Sequence, residues 1–289
     1  MPYAPLPHRG LIRLFGDDTL TFLQGLVTND VMRLMPGDAL YSALLTPQGK
    51  FLHDFFIIRG EDDVLMDVDS TRLNDLVQRL NMYKLRSKVT IETLGSAMTV
   101  AALWESSDIA PPPLRAFADP RVNELGWRIV GESSAIVAWC NSVSVPAVAP
   151  EAYEQRRIAL GVPEGVRDLI PDKSFLLQYG FEDLHGVDFR KGCYVGQEVT
   201  ARSKHLGQVR KFIYKVQSPD MALPAAGTPI HLDGALSGEM RSSYGKAGLA
   251  LLSVEDVEKA RQTHTDFRAG DTPLSASLPA WVKNTPAPA

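Results

Sequence analysis

Glycine and proline cut this chain into short apolar runs, a punctuation that favours brief strands joined by tight turns, with helices between them. Leu11 to Phe15 reads as a strand ended by Gly16, after which Asp17, Asp18 and Thr19 offer cap oxygens to a helix carrying Leu20, Phe22, Leu23, Leu26 and Val27. Tyr41 to Leu45 and Phe51 to Ile58 read as strands joined by the turn Thr46-Pro47-Gln48-Gly49, and Val64 to Val68 as another. The clearest helix follows: Ser70 or Thr71 can cap it, and Leu73, Leu76, Val77 and Leu80 fall on one face. Val89 to Glu92, Val100 to Trp104 and Gly126 to Val130 read as strands, and Ala135 to Cys140 as a short apolar stretch. Pro111-Pro112-Pro113 is a stiff connector. Pro150 opens a helix over 151–160 that Gly161 closes, and the mixed residues 172–190 read as irregular structure. After Gly207 the texture changes: Lys211 to Val216, Ile230 to Leu232 and Ala247 to Leu252 alternate with Pro/Gly turns, as in a small β-barrel, before a frayed tail from Asn284. The class is α+β, without internal repeats.

Composition narrows the function classes. At 289 residues the chain suits two or three packed subdomains. Its net charge of −4, with acids and bases interleaved, gives no basic footprint for nucleic acid. No apolar run approaches the ~18 residues that span a bilayer, so no membrane partner is expected. The opening MPYAPLPHRG has neither the apolar core of a signal peptide nor the look of a transit peptide, which sets cytoplasmic residence as the expectation. The two cysteines, Cys140 and Cys193, form no disulfide framework and suit a reducing compartment. Without a CxxC or Cys/His cluster the chain is expected to hold no metal, and it cannot ligate an iron–sulfur cluster on its own thiolates.

The stretch richest in chemistry is Arg190-Lys191-Gly192-Cys193-Tyr194-Val195-Gly196-Gln197-Glu198. Glycines near the cysteine permit an unusual backbone path and close approach of a ligand. Lys191 and Arg190 precede it, and Arg202 follows within a few turns if residues 197–203 are helical; nearby cations favour the thiolate. A buried, inert Cys193 is the competing reading. Cys140 ends the apolar run Ala135-Ile136-Val137-Ala138-Trp139 and reads as core.

The octet Lys191 to Glu198 closely resembles the signature of the YgfZ family, folate-binding relatives of the glycine-cleavage T-protein. Phe22-Leu23-Gln24-Gly25-Leu26-Val27-Thr28-Asn29-Asp30 resembles that family's first-helix motif, and Tyr83-Lys84-Leu85-Arg86-Ser87-Lys88-Val89 its second. Arg157 to Pro163, Thr200-Ala201-Arg202, His205-Leu206-Gly207 and Gly248 to Leu252 continue the likeness over most of the chain. The run from Cys193 to Lys211 is similar to the branch that holds mitochondrial iron–sulfur assembly factors.

The resemblance implies a T-protein-like three-part ring with a central folate channel, divided into a body over 1–205, made of two intertwined α+β subdomains, and a small β-barrel over 206–289. It implies tetrahydrofolate or a derivative as the ligand, and iron–sulfur client enzymes or assembly proteins as partners. By the same likeness Cys193 carries the role, with Lys191 its electrostatic partner. Asp54, in the run Gly49 to Ile57, takes the place of the T-protein aspartate that faces the folate nitrogen, where a carboxylate can position a proton. Tyr153 takes the place of an aromatic beside folate, where a ring can stack on the pterin. Lys191, Gly192 and Arg202 complete the expected folate-binding set. Three functions fit: a tetrahydrofolate-binding factor for assembly or repair of 4Fe–4S clusters, an aminomethyltransferase, and an interaction protein for iron–sulfur clients that uses no folate. Whether the chain is an enzyme stays open at this point.

Overall fold

The computed structural model describes residues 2–105, 114–207 and 209–284; the Pro111–Pro113 connector and the tail beyond Asn284 lie outside them. The chain forms two compact units. The first comprises Met1–Thr46, Leu52–Tyr153 and Leu184–Val195, and the second Pro47–Phe51, Glu154–Asp183 and Gly196–Ala289. This division does not run along a 1–205/206–289 boundary, because residues 154–183 pack with the later part of the chain.

The first unit holds β1 (Tyr3–Pro5), β2 (Arg9–Phe15), α1 (Thr19–Gln24), β3 (Ala39–Leu45), β4 (Phe51–Arg59), β5 (Asp63–Asp69), α2 (Leu73–Lys84), β6 (Thr90–Leu94), β7 (Met98–Leu103), β8 (Arg115–Ala118), β9 (Trp127–Glu132) and α3 (Ser133–Ser142). Its strands make a five-stranded sheet, β3-β4-β5-β2-β6, and a four-stranded sheet, β1-β7-β9-β8. β2 lies antiparallel to β5 from Arg9↔Asp69 to Phe15↔Asp63. Side chains alternate faces along a strand. Ile12, Leu14, Phe55, Ile57, Val64, Met66 and Val68 therefore share one core with Leu23, Leu76 and Leu80 of α1 and α2. A second core joins Ala101, Leu103 and Ile129 to Ile136 and Cys140 of α3. The opposite faces of the strands carry Arg9, Asp54, Phe56, Asp67 and Arg128, all buried.

Some details differ from the sequence reading: α1 ends at Gln24, so Leu26 and Val27 lie beyond it. The turn before α2 is a 3-10 turn capped by Asp69, whose Oδ1 accepts the Thr71 N–H at 2.9 Å, so neither Ser70 nor Thr71 supplies the cap. Ala135 to Cys140 is the middle of a helix rather than an isolated stretch.

The second unit contains α4 (Pro150–Leu160) from Glu154 onward, its start through Tyr153 belonging to the first unit, and α5 (Gly165–Asp168), α6 (Gln197–Leu206), β10 (Lys211–Gln217), β11 (Pro229–Leu232), β12 (Ala235–Tyr244), β13 (Ala247–Ser253), α7 (Val254–Thr263), β14 (Phe267–Ala269) and β15 (Thr272–Ser277). Its six strands close into a barrel in the order β10-β13-β12-β11-β14-β15, which leaves no open edge. Gly161 ends α4 at φ +79°, and a Cβ there would come within 2.8 Å of Lys215 and Pro279.

Candidate functional site

The opposite faces of the two sheets are joined by a layer of buried charge. Arg128, on β9, donates to Asp67 on β5 at 2.8 Å and to Asp119 at 3.2 Å. Arg9 donates to Asp67 at 2.6 Å, and Arg121 donates twice to Asp119, at 3.0 and 2.8 Å. Phe56 lies among these cations, with the Arg128 guanidinium carbon 4.0 Å and that of Arg121 4.9 Å from its ring centre. Burial pushes the Asp119 carboxyl up, but Arg121 and Arg128 outweigh it and hold the group below its usual range.

Asp54 belongs to this layer. The Tyr41 hydroxyl donates to Asp54 Oδ2 at 2.8 Å, both side chains are buried, and the Arg121 guanidinium lies 5.4 Å from the Tyr41 ring centre. Burial, then the Asp54 charge, raises the Tyr41 phenol well above its ordinary pKa, so it stays a donor. Tyr153 joins from the other side: its oxygen accepts from Arg121 and Arg128, each at 3.2 Å. Its ring is 1% exposed and lies against Trp104, with centroids 5.9 Å apart. Asp54 and Tyr153 thus share one cluster through Tyr41 and Arg121. Arg9, Arg121 and Arg128 balance Asp54, Asp67 and Asp119, so the layer is near neutral.

The Cys193 loop is built on a different anchor. Lys191, 5% exposed, donates to the carbonyls of Gln24, Val27 and Asn29 at 2.9, 2.5 and 2.9 Å. These carbonyls end the first-helix motif, which explains why that motif and the octet occur together. Burial lowers the Lys191 ammonium to about 8, against the pull of Asp30 and Asp188. Its charge faces the Tyr194 ring, 5.1 Å away. Cys193 itself is exposed, whereas Cys140 is buried, its thiol pushed up to about 11 by burial. Gly192 does not use a glycine's freedom, since its φ is ordinary and an added Cβ would meet nothing within 4 Å; Gly196, at φ +83°, does. Arg202 lies on α6 in the second unit, exposed and paired with Glu198 at 2.8 Å.

A hydrogen-bonded path links the Cys193 loop to Asp54. Lys191 donates to the Asn29 carbonyl, the Asn29 side chain donates to the Tyr41 carbonyl at 2.8 Å, and the Tyr41 hydroxyl donates to Asp54. Sequence reasoning did not single out Tyr41, Asn29, Arg121 or Arg128. One signal was there: Arg128 interrupts the apolar run Trp127 to Val130, and a charge in a strand buried on both faces needs a partner.

Residues 6–106 match the GCVT N-terminal domain family, and residues 210–284 the CAF17 C-terminal beta-barrel domain family. Among solved structures, the chain resembles the glycine cleavage system aminomethyltransferase T from Bartonella henselae with a TM-score of 0.75. That likeness covers 98% of this chain and 86% of that one at 16% identity, and it bears on the fold. The protein therefore has the aminomethyltransferase-like fold, mixed α and β, with a closed six-stranded C-terminal barrel. Among curated relatives, the human mitochondrial iron–sulfur cluster assembly factor IBA57 is 32% identical, over 96% of this chain and 84% of the relative. The Mus musculus protein of the same name is 31% identical with the same coverage. The homologue from Mycosarcoma maydis is 39% identical over 78% of this chain, which spans 58% of that relative's length. The chain belongs to the IBA57 family of iron–sulfur cluster assembly factors. The expected YgfZ membership is thereby corrected to this related family. The expected cytoplasmic location is overturned too: these relatives are named mitochondrial proteins.

Proposed function

We propose that this protein is a tetrahydrofolate-binding accessory factor that assists assembly or repair of 4Fe–4S clusters in client enzymes and works through Cys193. The observation that carries the reading is an exposed thiol on a loop whose neighbour Lys191 is fixed by three carbonyls. An exposed sulfur on a fixed backbone can meet a cluster held by another protein. The cluster is cargo: Cys140 is buried, so Cys193 is the one cysteine able to reach it. Lys191 acts as a positioning residue for this loop.

The folate part rests on the charged layer. Arg121 Nη1 is buried and has no hydrogen-bond partner among the described residues, and a donor so placed calls for an acceptor. Asp54, joined to Arg121 through Tyr41, is the complementary acceptor. Together they suit a pterin edge, which carries both a carbonyl and N–H donors. Bound tetrahydrofolate would supply a reduced pterin able to carry a one-carbon unit; Asp54 would orient it and hold a proton, and Arg121 would meet its acceptor. Tyr153 supports this set by fixing Arg121 and Arg128 rather than by stacking, since its ring is covered.

The test is calorimetry with tetrahydrofolate on wild type, Asp54→Ala and Arg121→Met, together with reactivation of a 4Fe–4S client enzyme by wild type and Cys193→Ser. Binding weakened tenfold or more by both substitutions, and reactivation lost in Cys193→Ser, are expected. No binding by wild type would remove folate and leave the reading of an interaction protein for iron–sulfur clients. Reactivation that survives Cys193→Ser would remove the cysteine's role. The Asp54 carboxylate also favours a second reading, aminomethyl transfer to tetrahydrofolate, which one-carbon release from an aminomethyl donor would reveal.

A further inference from the structure

At one end of the five-stranded sheet, three arginines gather around a single buried acid. Asp63 opens β5, and its side chain is 6% exposed. Arg13, on β2, donates to its Oδ2 at 2.7 Å, and Arg115, on β8, brings Nη2 to 2.8 Å from its Oδ1. Gly60 packs against this pair: a Cβ there would stand 2.2 Å from Asp63 Oδ1 and 3.2 Å from Arg115 Nη1. These residues and Arg59, the last residue of β4, line a pocket of about 420 Å³, a size that suits a small metabolite.

The charges do not close among themselves, because one buried carboxylate faces three guanidinium groups. Arg115 spends Nη2 on Asp63, while its Nη1 is buried and has no hydrogen-bond partner. A buried donor left open is rare and calls for an acceptor. The Arg115 side chain as a whole is 39% exposed, so the guanidinium stands at the pocket wall. Arg59 is part-exposed and makes no ion pair or side-chain hydrogen bond among the described residues. Glu61 and Asp62 also border the pocket, but both are exposed on the turn between β4 and β5. Neither forms an ion pair with an arginine among the described residues, so they leave the three cations open.

We propose that this pocket binds a small anion whose carboxylate or phosphate oxygens take the open N–H groups of Arg115 and Arg59. Arginine suits such oxyanions because its planar fork can donate two parallel bonds to one of them. Asp63 holds Arg13 and Arg115 in place beforehand, which lowers the ordering cost of binding. Pro36 and Leu114, also in the lining, offer apolar contact to a short carbon stem. The pocket lies wholly within the first unit, shares no residue with the Cys193 loop or the Asp54–Arg121 cluster, and stands independently of the folate reading.

The test is calorimetry of the full chain with succinate, with inorganic phosphate, and with succinamide as a neutral control. One-site binding of succinate or phosphate is expected, and none of the amide. Succinate alone assigns a carboxylate ligand, phosphate alone a phosphate ester, and both together a site for either oxyanion. Arg59→Met, which breaks no ion pair or side-chain hydrogen bond, weakens binding by about tenfold or more, the size of one charge-assisted hydrogen bond. Arg115→Lys, which keeps the charge and loses the fork, weakens it by about fivefold or more; either variant suffices if the other fails to fold. No binding of either anion, equal binding of the amide, or affinity unchanged in folded Arg59→Met or Arg115→Lys would each overturn the proposal.

Discussion

An ammonium with three N–H groups and three carbonyl partners has no hydrogen left for a neighbouring thiol. That is the state of Lys191, and it changes what a substitution there should do. Lys191→Ala strands three carbonyls and frees the loop, so it should cost about 2–4 kcal/mol of stability. It should also open residues 190–196 to proteolysis; a variant with unchanged melting temperature and unchanged cleavage would sink this account. His53 makes the second prediction. Burial, then Arg72, lowers its imidazole to about 4, while Asp75, at 2.8 Å from Nε2, pulls the other way. With an unfolded value of ~6.5, the unfolded chain binds the extra proton between those two values. Stability should therefore be full above about pH 6.5 and fall as pH drops to about 4, by roughly 3 kcal/mol from this residue. Urea unfolding at pH 7 and 4.5 should show a smaller drop for His53→Gln, and equal drops would refute the assignment. The octet made Cys193 and Lys191 legible as important residues. It could not give the Lys191 partners, which lie more than 160 positions earlier and meet it only in the folded chain.

Elements were legible where apolar residues fall at helical spacing or in a bounded apolar run. The pattern Leu73, Leu76, Val77, Leu80 marked α2, and strands β2 to β5 followed their apolar runs. In α3 the unbroken run Ala135 to Ala138 carries no helical period, so the helix was hidden. In β12 the sequence Ala-Leu-Ser-Gly-Glu-Met-Arg-Ser-Ser-Tyr looks like a loop, yet its neighbours in the barrel hold it as a ten-residue strand. The charged layer between the sheets was hidden for a related reason: its pairs come from strands far apart in sequence. Arg128 is the member that ties β9 to β5, and Arg128→Met leaves Asp67 and Asp119 each short of a partner in a buried site. Removing one side of a buried pair costs about 3–5 kcal/mol, and that loss should appear in urea unfolding. A loss below about 1 kcal/mol would mean that the layer relaxes or hydrates. Gly16 tests the packing of another element. At φ +122° its Cβ would lie 2.2 Å from the Lys88 carbonyl, so Gly16→Ala should push the end of α2's exit loop off the β2–α1 turn and lower the melting temperature by several degrees.

At the scale of the whole chain, the barrel was legible from its Pro/Gly-punctuated strands, whereas the membership of residues 154–183 was not. They lie well before the barrel in sequence, and their attachment to it is tertiary. Arg157, fully buried, donates to Asp168 at 2.7 Å and to the Ser242 hydroxyl on β12 at 2.9 Å. Asp168 in turn accepts the Ser242 N–H at 2.9 Å, and Gly161 packs on Lys215 and Pro279. A chain ending at residue 205 would keep Arg157, Glu164 and Asp168 but lose every one of these barrel partners. Such a fragment should therefore be cut rapidly within 154–183, a stretch that resists protease in the full chain, while the sheets of the first unit keep their protection. Limited proteolysis read by mass spectrometry separates the outcomes. Equal protection of 154–183 in the fragment and the full chain would show that this stretch holds its structure without the barrel, and would set the division of the chain at 205 after all.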